Sequence, residues 1–321
     1  MRETKKNNVF ALTGNDNFVV FYCSNEIHIL NGYDDETIFY ENVFRIYGKN
    51  SILFFQNEEG HPIKIYKNDE ITTFLDRECY LAKVRENQLI VSEKSVNNYI
   101  DYICMPNLTL KQIPFFPNYA NTNFIIDHWD KKTIKMSFLM KEKNWQKDIS
   151  SCGKYINLRD EEQPNEIDGG LMGFENLLFV PLRGGQLLAL DVETGEEVWM
   201  LEQEISGQYA VFQDKIYKKN EFLYEINALT GEIIRQKNIG DGDIQDGFIA
   251  IGPIWIYEDI IILINNYTGD IVLLNKNDFS VFDKIKIDAS IAHSKDTIIW
   301  HDNKLYVLDL NNTLHIFEDE K

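Results

Sequence analysis

Basic residues are in short supply: 32 Lys and Arg stand against 51 Asp and Glu, a formal net charge of −19. A surface that follows a nucleic-acid backbone needs clustered Lys and Arg, so that function is excluded as the main one. An anionic membrane surface is disfavoured for the same reason. Long apolar runs are also missing: the stretch 18–23 is far too short to cross a bilayer. The first residues, with Lys5 and Lys6 followed by a segment broken at Thr13, Gly14 and Asn15, do not form an export signal. No lipid-anchor motif is present, and a cytoplasmic protein is expected. The four cysteines, Cys23, Cys79, Cys104 and Cys152, contain no CxxC pair, which excludes a zinc ribbon and predicts reduced, mostly buried thiols. Helical periodicity is nearly absent as well.

What is present is 44% hydrophobic and 13% aromatic residues, too apolar for an acidic disordered chain. They fall in runs of four to seven β-branched and aromatic residues punctuated by Asn, Asp or Gly. The clearest unit starts at Asn176 and reads strand, Gly184-Gly185 turn, strand to Asp191, Thr194-Gly195 turn, strand to Trp199. A second copy passes through Ile216, Ile226-Asn227 and Thr230-Gly231, a third through Ile260 and Thr268-Gly269, and a fourth through Leu305 to Phe317. Fainter hairpins open at Phe18, Ile52, Leu89 and Phe124. The eight openings are separated by roughly 34 to 53 residues, which is the spacing of four-stranded propeller blades. Such blades bury their faces only by stacking around an axis.

The expected fold is therefore all-β, one β-propeller over residues 1–321 with seven or eight four-stranded blades. Eight hairpins argue for eight blades, and division of the length by seven gives about 46 residues, a common blade size. A β-helix or stacked sandwiches would also use short strands, but their turns recur less regularly. The segment around Val9–Leu12 is expected to complete the last blade and so remove a free sheet edge.

The run Ala189-Leu190-Asp191-Val192-Glu193-Thr194-Gly195-Glu196-Glu197-Val198-Trp199 resembles the repeat of PQQ-like (quinoprotein-alcohol-dehydrogenase-like) β-propellers. Glu225-Ile226-Asn227-Ala228-Leu229-Thr230-Gly231-Glu232 is a weaker copy without the tryptophan. The resemblance implies that Thr-Gly turns between inner strands and that the tryptophan packs between blades. It implies a fold and not an activity. Quinoprotein enzymes of this kind are longer, exported, and carry calcium and vicinal cysteines, none of which is expected here. Neither cofactor nor metal is expected. Envelope scaffold propellers with this repeat carry an export signal and lipid anchor, which this sequence does not show.

Catalytic motifs are absent: no Gly-x-Ser-x-Gly elbow, no His-Glu-x-x-His and no phosphate-cradling loop appears. Asp127-His128-Trp129-Asp130 sets carboxylates beside an imidazole, but neighbouring strand residues face opposite ways. His28 and His315 occupy matching places in their hairpins. The segment 240–247 opens like a calcium loop with Asp241 and Asp243, then fails at Gln245, Asp246 and Gly252.

The acidic residues are more informative. In a propeller, the links between blades share a face with the turns between the two middle strands. That face receives Glu58 and Glu59; Asp160, Glu161, Glu162, Glu166 and Asp168; Glu202 and Glu204; and Asp241, Asp243 and Asp246. The connection 151–168 is longer than an ordinary link, and long connections are disproportionately functional. Acidic loops serve solubility in any protein; as a site they would steer a basic partner. Tyr119, Trp129, Tyr155, Tyr209 and Tyr267 lie near these loops as candidate anchors. The expected function is a non-catalytic, protein-binding propeller, within that class an immunity protein that caps a basic bacterial toxin. A general interaction scaffold, or an enzyme or small-molecule binder using the channel, are the alternatives.

Overall fold

The computed structural model describes residues 1–318 except 15–17, 31–34, 41–42, 44, 50–51, 58–61, 68–69, 77–78, 85–87, 95–98, 115–116, 122, 129, 158, 202, 204, 206, 208, 240–247 and 293–296. Eight antiparallel four-stranded sheets follow one another along the chain. Blades 1 to 7 occupy 9–39, 45–75, 79–112, 119–148, 172–201, 209–238 and 255–286, each strand pairing with the next in order. Blade 8 takes three strands from 298–318 and its outermost strand, Arg2–Lys6, from the start of the chain. The eight hairpin openings of the sequence are the second strands of these eight blades, which settles the number at eight.

Burial explains why second strands were legible. Leu177–Pro181 and Ile260–Asn265 are buried along nearly their whole length because a neighbouring blade covers each face. Outer strands such as Asn144–Asp148 and Val281–Lys286 alternate, with one face in water. Successive side chains of a second strand therefore serve different interfaces. Leu178 enters the cluster between blades 4 and 5, while Phe179 enters that between blades 5 and 6. The same holds for Ile261 and Ile262 on either side of blade 7. Eight apolar clusters fill the eight inter-blade spaces, and the one joining Val19 and Phe21 to Tyr306 and Leu314 closes the ring.

Two expectations are corrected. The segment around Val9–Leu12 does not complete blade 8; Val9–Gly14 is the first strand of blade 1. The closing strand is Arg2–Lys6, whose five residues carry no apolar side chain and hence no strand signal. The Thr194-Gly195 and Thr230-Gly231 turns join the third strand to the outermost one, not two inner strands.

The turns themselves follow from side-chain chemistry. Asp191 Oδ1 accepts the Thr194 N–H (2.8 Å), and Asn227 Oδ1 accepts those of Leu229 and Thr230 (2.8 and 3.2 Å). These Asx turns bring Gly195 and Gly231 to φ of 73° and 75°. Each glycine lies under the tryptophan of the preceding blade: a Cβ on Gly195 would sit 2.8 Å from Trp145, and one on Gly231 2.7 Å from Trp199. The indoles donate to Val192 O (2.7 Å) and Ala228 O (3.1 Å), latching blade 4 to 5 and blade 5 to 6.

Candidate functional site

The inter-blade links and the turns between second and third strands form one face of the ring, called the upper face below. Between blades 4 and 5 this face carries an inserted hairpin. A short 3-10 turn, Ile149–Ser151, leads into strands Lys154–Ile156 and Glu162–Pro164, which among the described residues pair only with each other. This insertion accounts for the 53-residue step in the sequence spacing. Its base is held by Asn165, fully buried, which donates to Cys152 O (3.3 Å) and Gln186 Oε1 (3.1 Å) and accepts the Gly184 N–H (3.3 Å).

Five of the twelve acidic site residues expected from the sequence sit on or beside this hairpin: Asp160, Glu161, Glu162, Glu166 and Asp168. Several are locally neutralised. Glu162 meets Lys154 at 2.9 Å, and Glu166 meets Arg183 at 3.0 Å with Lys132 at 4.0 Å. Glu161 accepts from Asn157 Nδ2 (3.0 Å). Asp160, Glu161 and Asp168 remain exposed. Glu58, Glu59, Glu202, Glu204, Asp241, Asp243 and Asp246 lie outside the described residues, as does the calcium-like segment 240–247.

The aromatic candidates divide. Tyr119 and Tyr209 are core residues, the latter donating to Gly170 O (2.7 Å). Tyr155 lies half-buried with the Arg183 guanidinium 5.3 Å from its ring centroid. Tyr267 is exposed, and Trp129 is outside the described residues.

Structure also accounts for the acid–imidazole pairings. Asp130 caps a turn, accepting the N–H groups of Lys132 and Thr133 at 3.0 and 2.7 Å. Burial opposes its ionisation, yet these donors hold its carboxyl below the usual range. His28 and His315 do occupy matching third strands, with different partners. His28 stacks on Phe21 at 4.6 Å, whereas His315 bridges Glu3 (2.7 Å) and Asp309 (3.0 Å). Among the described residues no cluster of His, Cys, Asp and Glu is arranged to hold a metal ion. All four cysteines are free thiols. No described helix is long and apolar enough to cross a membrane.

Sequence reasoning missed two features. Lys218 and Lys219, at the upper end of a blade 6 strand, are both buried. Lys218 donates to Gly185 O (3.1 Å) in the preceding blade, and Lys219 to Ala250 O (2.8 Å) in the following link. Burial lowers both ammonium groups to about 8, with Asp168 opposing the shift at Lys218. The second is Arg235, which stands where Trp199 stands one blade earlier: each is the first residue to pair after the bulge in its outer strand. Its guanidinium covers the ring of Phe279 (3.8 Å), bonds Glu225, and donates to Lys276 O and Asn277 O. Phe279, at φ 61°, occupies the place of the turn glycine. An open cleft of about 370 Å³ adjoins this pair on the lower rim, lined by Phe212, Lys215, Tyr217 and Lys276 among others.

These features define an eight-bladed β-propeller whose blades 5 and 6 share an Asx–Thr-Gly turn packed under the tryptophan of the preceding blade. Comparison with solved structures agrees. The chain is similar to BamB from Moraxella catarrhalis, with a TM-score of 0.60 at 12% identity over 99% of both chains. It is equally similar to the computationally designed Ika8 protein, at TM-score 0.60 and 12% identity over 98% of this chain and 96% of that one. Sqt1 from Saccharomyces cerevisiae matches at TM-score 0.54 and 9% identity over 100% of this chain and 98% of that one. No family model matches the sequence, and neither does any curated protein. At these identities the likeness establishes the fold.

Proposed function

We propose that this chain is a non-catalytic, protein-binding propeller acting in the cytoplasm, and that it neutralises a basic bacterial toxin as an immunity protein. The observation that carries the reading is the hairpin 154–164, inserted in the upper-face link between blades 4 and 5 as a separate two-stranded sheet. It carries the exposed acids Asp160 and Glu161 and the exposed Ile156, on a chain of net charge −19. The blade architecture shared with BamB supports an interaction scaffold. A hairpin with acids in its turn and an exposed isoleucine beside them offers electrostatic steering and an apolar contact together. Its occupation of a basic partner's own anion site would block that partner's substrate.

The test is a pull-down from native cells at low and then high salt. It is followed by affinity measurement with a chain in which Asp160, Glu161, Glu162 and Glu166 are all changed to Lys. A single basic partner, bound at least tenfold more weakly by the reversed chain and with a shallower salt dependence, is expected. Unchanged affinity would sink the acidic-hairpin reading, and several unrelated partners would favour the general scaffold.

A further inference from the structure

A second surface on the upper face lies away from the hairpin. Among the described residues, five of the six most exposed large apolar side chains are on this face: Phe10, Ile156, Ile249, Tyr267 and Leu310, each between 60 and 66% exposed, the exception being Met140 at 73%. Ile156 belongs to the hairpin. The other four follow consecutive segments of blades 7, 8 and 1. Ile249 precedes the first strand of blade 7, and Tyr267 lies in its middle turn. Leu310 lies in the middle turn of blade 8, and Phe10 sits at the bulge that opens blade 1.

Hydrogen bonds join these segments into one arc. Lys219 Nζ holds Ala250 O (2.8 Å), and the Ile251 N–H donates to Ile264 O (2.7 Å). The Ile291 N–H donates to Asn266 O (2.8 Å), and Ser290 Oγ to Tyr267 O (3.1 Å). The Leu310 N–H donates to Ser290 O (2.9 Å), and the Val9 N–H to Asn312 O (2.9 Å). The four side chains thus stand on a connected, pre-ordered rim, and ordering it costs little at the moment of binding. Exposed apolar groups clustered on one face mark interaction surfaces, whereas scattered ones need no explanation.

Charge selects the occupant. Asp288 is exposed within the arc, Glu26 lies at its blade 1 end, and Lys286 is already paired with Asp270 (2.9 Å). A second copy of a chain carrying −19 would be repelled from this face. We propose that the arc Ile249–Tyr267–Leu310–Phe10 is an apolar anchor for a protein segment whose leucine-like side chains are flanked by Lys or Arg. This rests on the reading that the upper face binds a protein, but it assigns the contact to blades 7, 8 and 1 instead of the hairpin.

The probe is a short fluorescent peptide of leucine and lysine, with a glycine–lysine peptide of equal charge as control. Tyr267→Ser combined with Leu310→Ser should weaken leucine–lysine binding at least tenfold. Val198→Ser combined with Phe282→Ser, on the outer rim, should leave it unchanged. If the double arc variant unfolds, Ile249→Ser and Phe10→Ser singly take its place, each expected to weaken binding severalfold. Equal binding to arc and rim variants, no binding to the unmodified chain, or equal binding of both peptides would overturn the proposal. Self-association of the free chain in sedimentation, abolished by the arc variant, would also overturn it by assigning the surface to a second copy. Loss of peptide binding in the arc variant, with none on hairpin charge reversal, would leave the arc standing and refute the hairpin reading alone.

Discussion

The Nδ1 of His315 lies 2.7 Å from the Oε1 of Glu3, although 312 positions separate the two residues. The other ring nitrogen faces Asp309 Oδ2 at 3.0 Å, and Asp309 Oδ1 in turn accepts the N–H groups of Asn311 and Thr313. One imidazole therefore ties the closing strand to the turn of its own blade. The backbone ladder from Arg2↔Glu318 to Lys6↔Leu314 supplies adhesion without side-chain burial, since four of the five residues of the closing strand are exposed.

That bridge gives the first prediction. His315→Ala should cost about 2–3 kcal/mol in urea unfolding, because it leaves the Oδ2 of the buried Asp309 without the imidazole that faces it. A double-mutant cycle with Glu3→Ala should show coupling of about 1 kcal/mol or more. Zero coupling would mean that the ladder alone closes the ring.

The latch between blades 6 and 7 gives the second. Arg235→Ala strands Glu225, which is only 6% exposed, without its cation, and about 3–5 kcal/mol of stability should be lost. Adding Glu225→Gln to that variant should restore a large part of the loss. Trp199→Ala, which empties the equivalent latch one blade earlier but leaves no charge behind, should cost about 2–4 kcal/mol and show no such rescue. A cost below about 1 kcal/mol for Arg235→Ala would show that Phe279 packing carries the latch instead.

These two sites show where the sequence was legible and where it was not. Second strands such as Ile260–Asn265 declare themselves because both faces are buried and five of the six positions are apolar. Arg2–Lys6 was invisible because none of its five side chains is apolar, so the backbone ladder that seats it leaves no hydrophobic pattern in the sequence. Arg235 hid the third latch, since neither Trp nor Gly marks it, although Asn275 still builds the Asx turn by accepting the Asn277 N–H (2.9 Å). The Thr268-Gly269 pair, which looks like a third copy of the repeat, belongs to the other turn of its blade, between second and third strands. Of the candidate site, the long connection 151–168 was readable from its length and charge. The partners that offset that charge, Arg183 and Lys132, come from the middle turns of blades 5 and 4 and were not.

Lys218 and Lys219 predict an unusual alkaline dependence. Burial holds both at about 8 in the folded chain, against 10.5 when exposed. Between those values the unfolded chain binds more protons, so stability rises with pH across that window. Urea unfolding should show a gain of about 1–2 kcal/mol per lysine between roughly pH 7.5 and 9.5. The gain should disappear when both are changed to Met. Tyr217 works the other way. Burial, reinforced by Glu225, pushes its phenol up to about 12, so its contribution is lost as pH rises from 10 toward 12 and stability should turn over there. An unchanged slope in the double Met variant would place the titration elsewhere.

Asn165 decides how firmly the hairpin is presented. Its amide bridges Cys152 and Gln186, and its carbonyl oxygen receives Gly184, so one side chain ties both ends of the insertion to the middle turn of blade 5. Asn165→Ala leaves the Gly184 N–H and the Cys152 carbonyl without that partner, at a cost of about 1–3 kcal/mol. The loss should be local, because the inter-blade clusters on either side do not depend on it. Hydrogen exchange should therefore accelerate across 154–164 while 177–181 and 187–191 keep their protection. A hairpin loosened in this way must be ordered again on binding, so the partner's affinity should fall even though none of its contacts has been removed. If exchange in the hairpin does not change, its rigidity comes from Ile149 and Ile167, both buried in the cluster between blades 4 and 5, and the polar bridge is secondary.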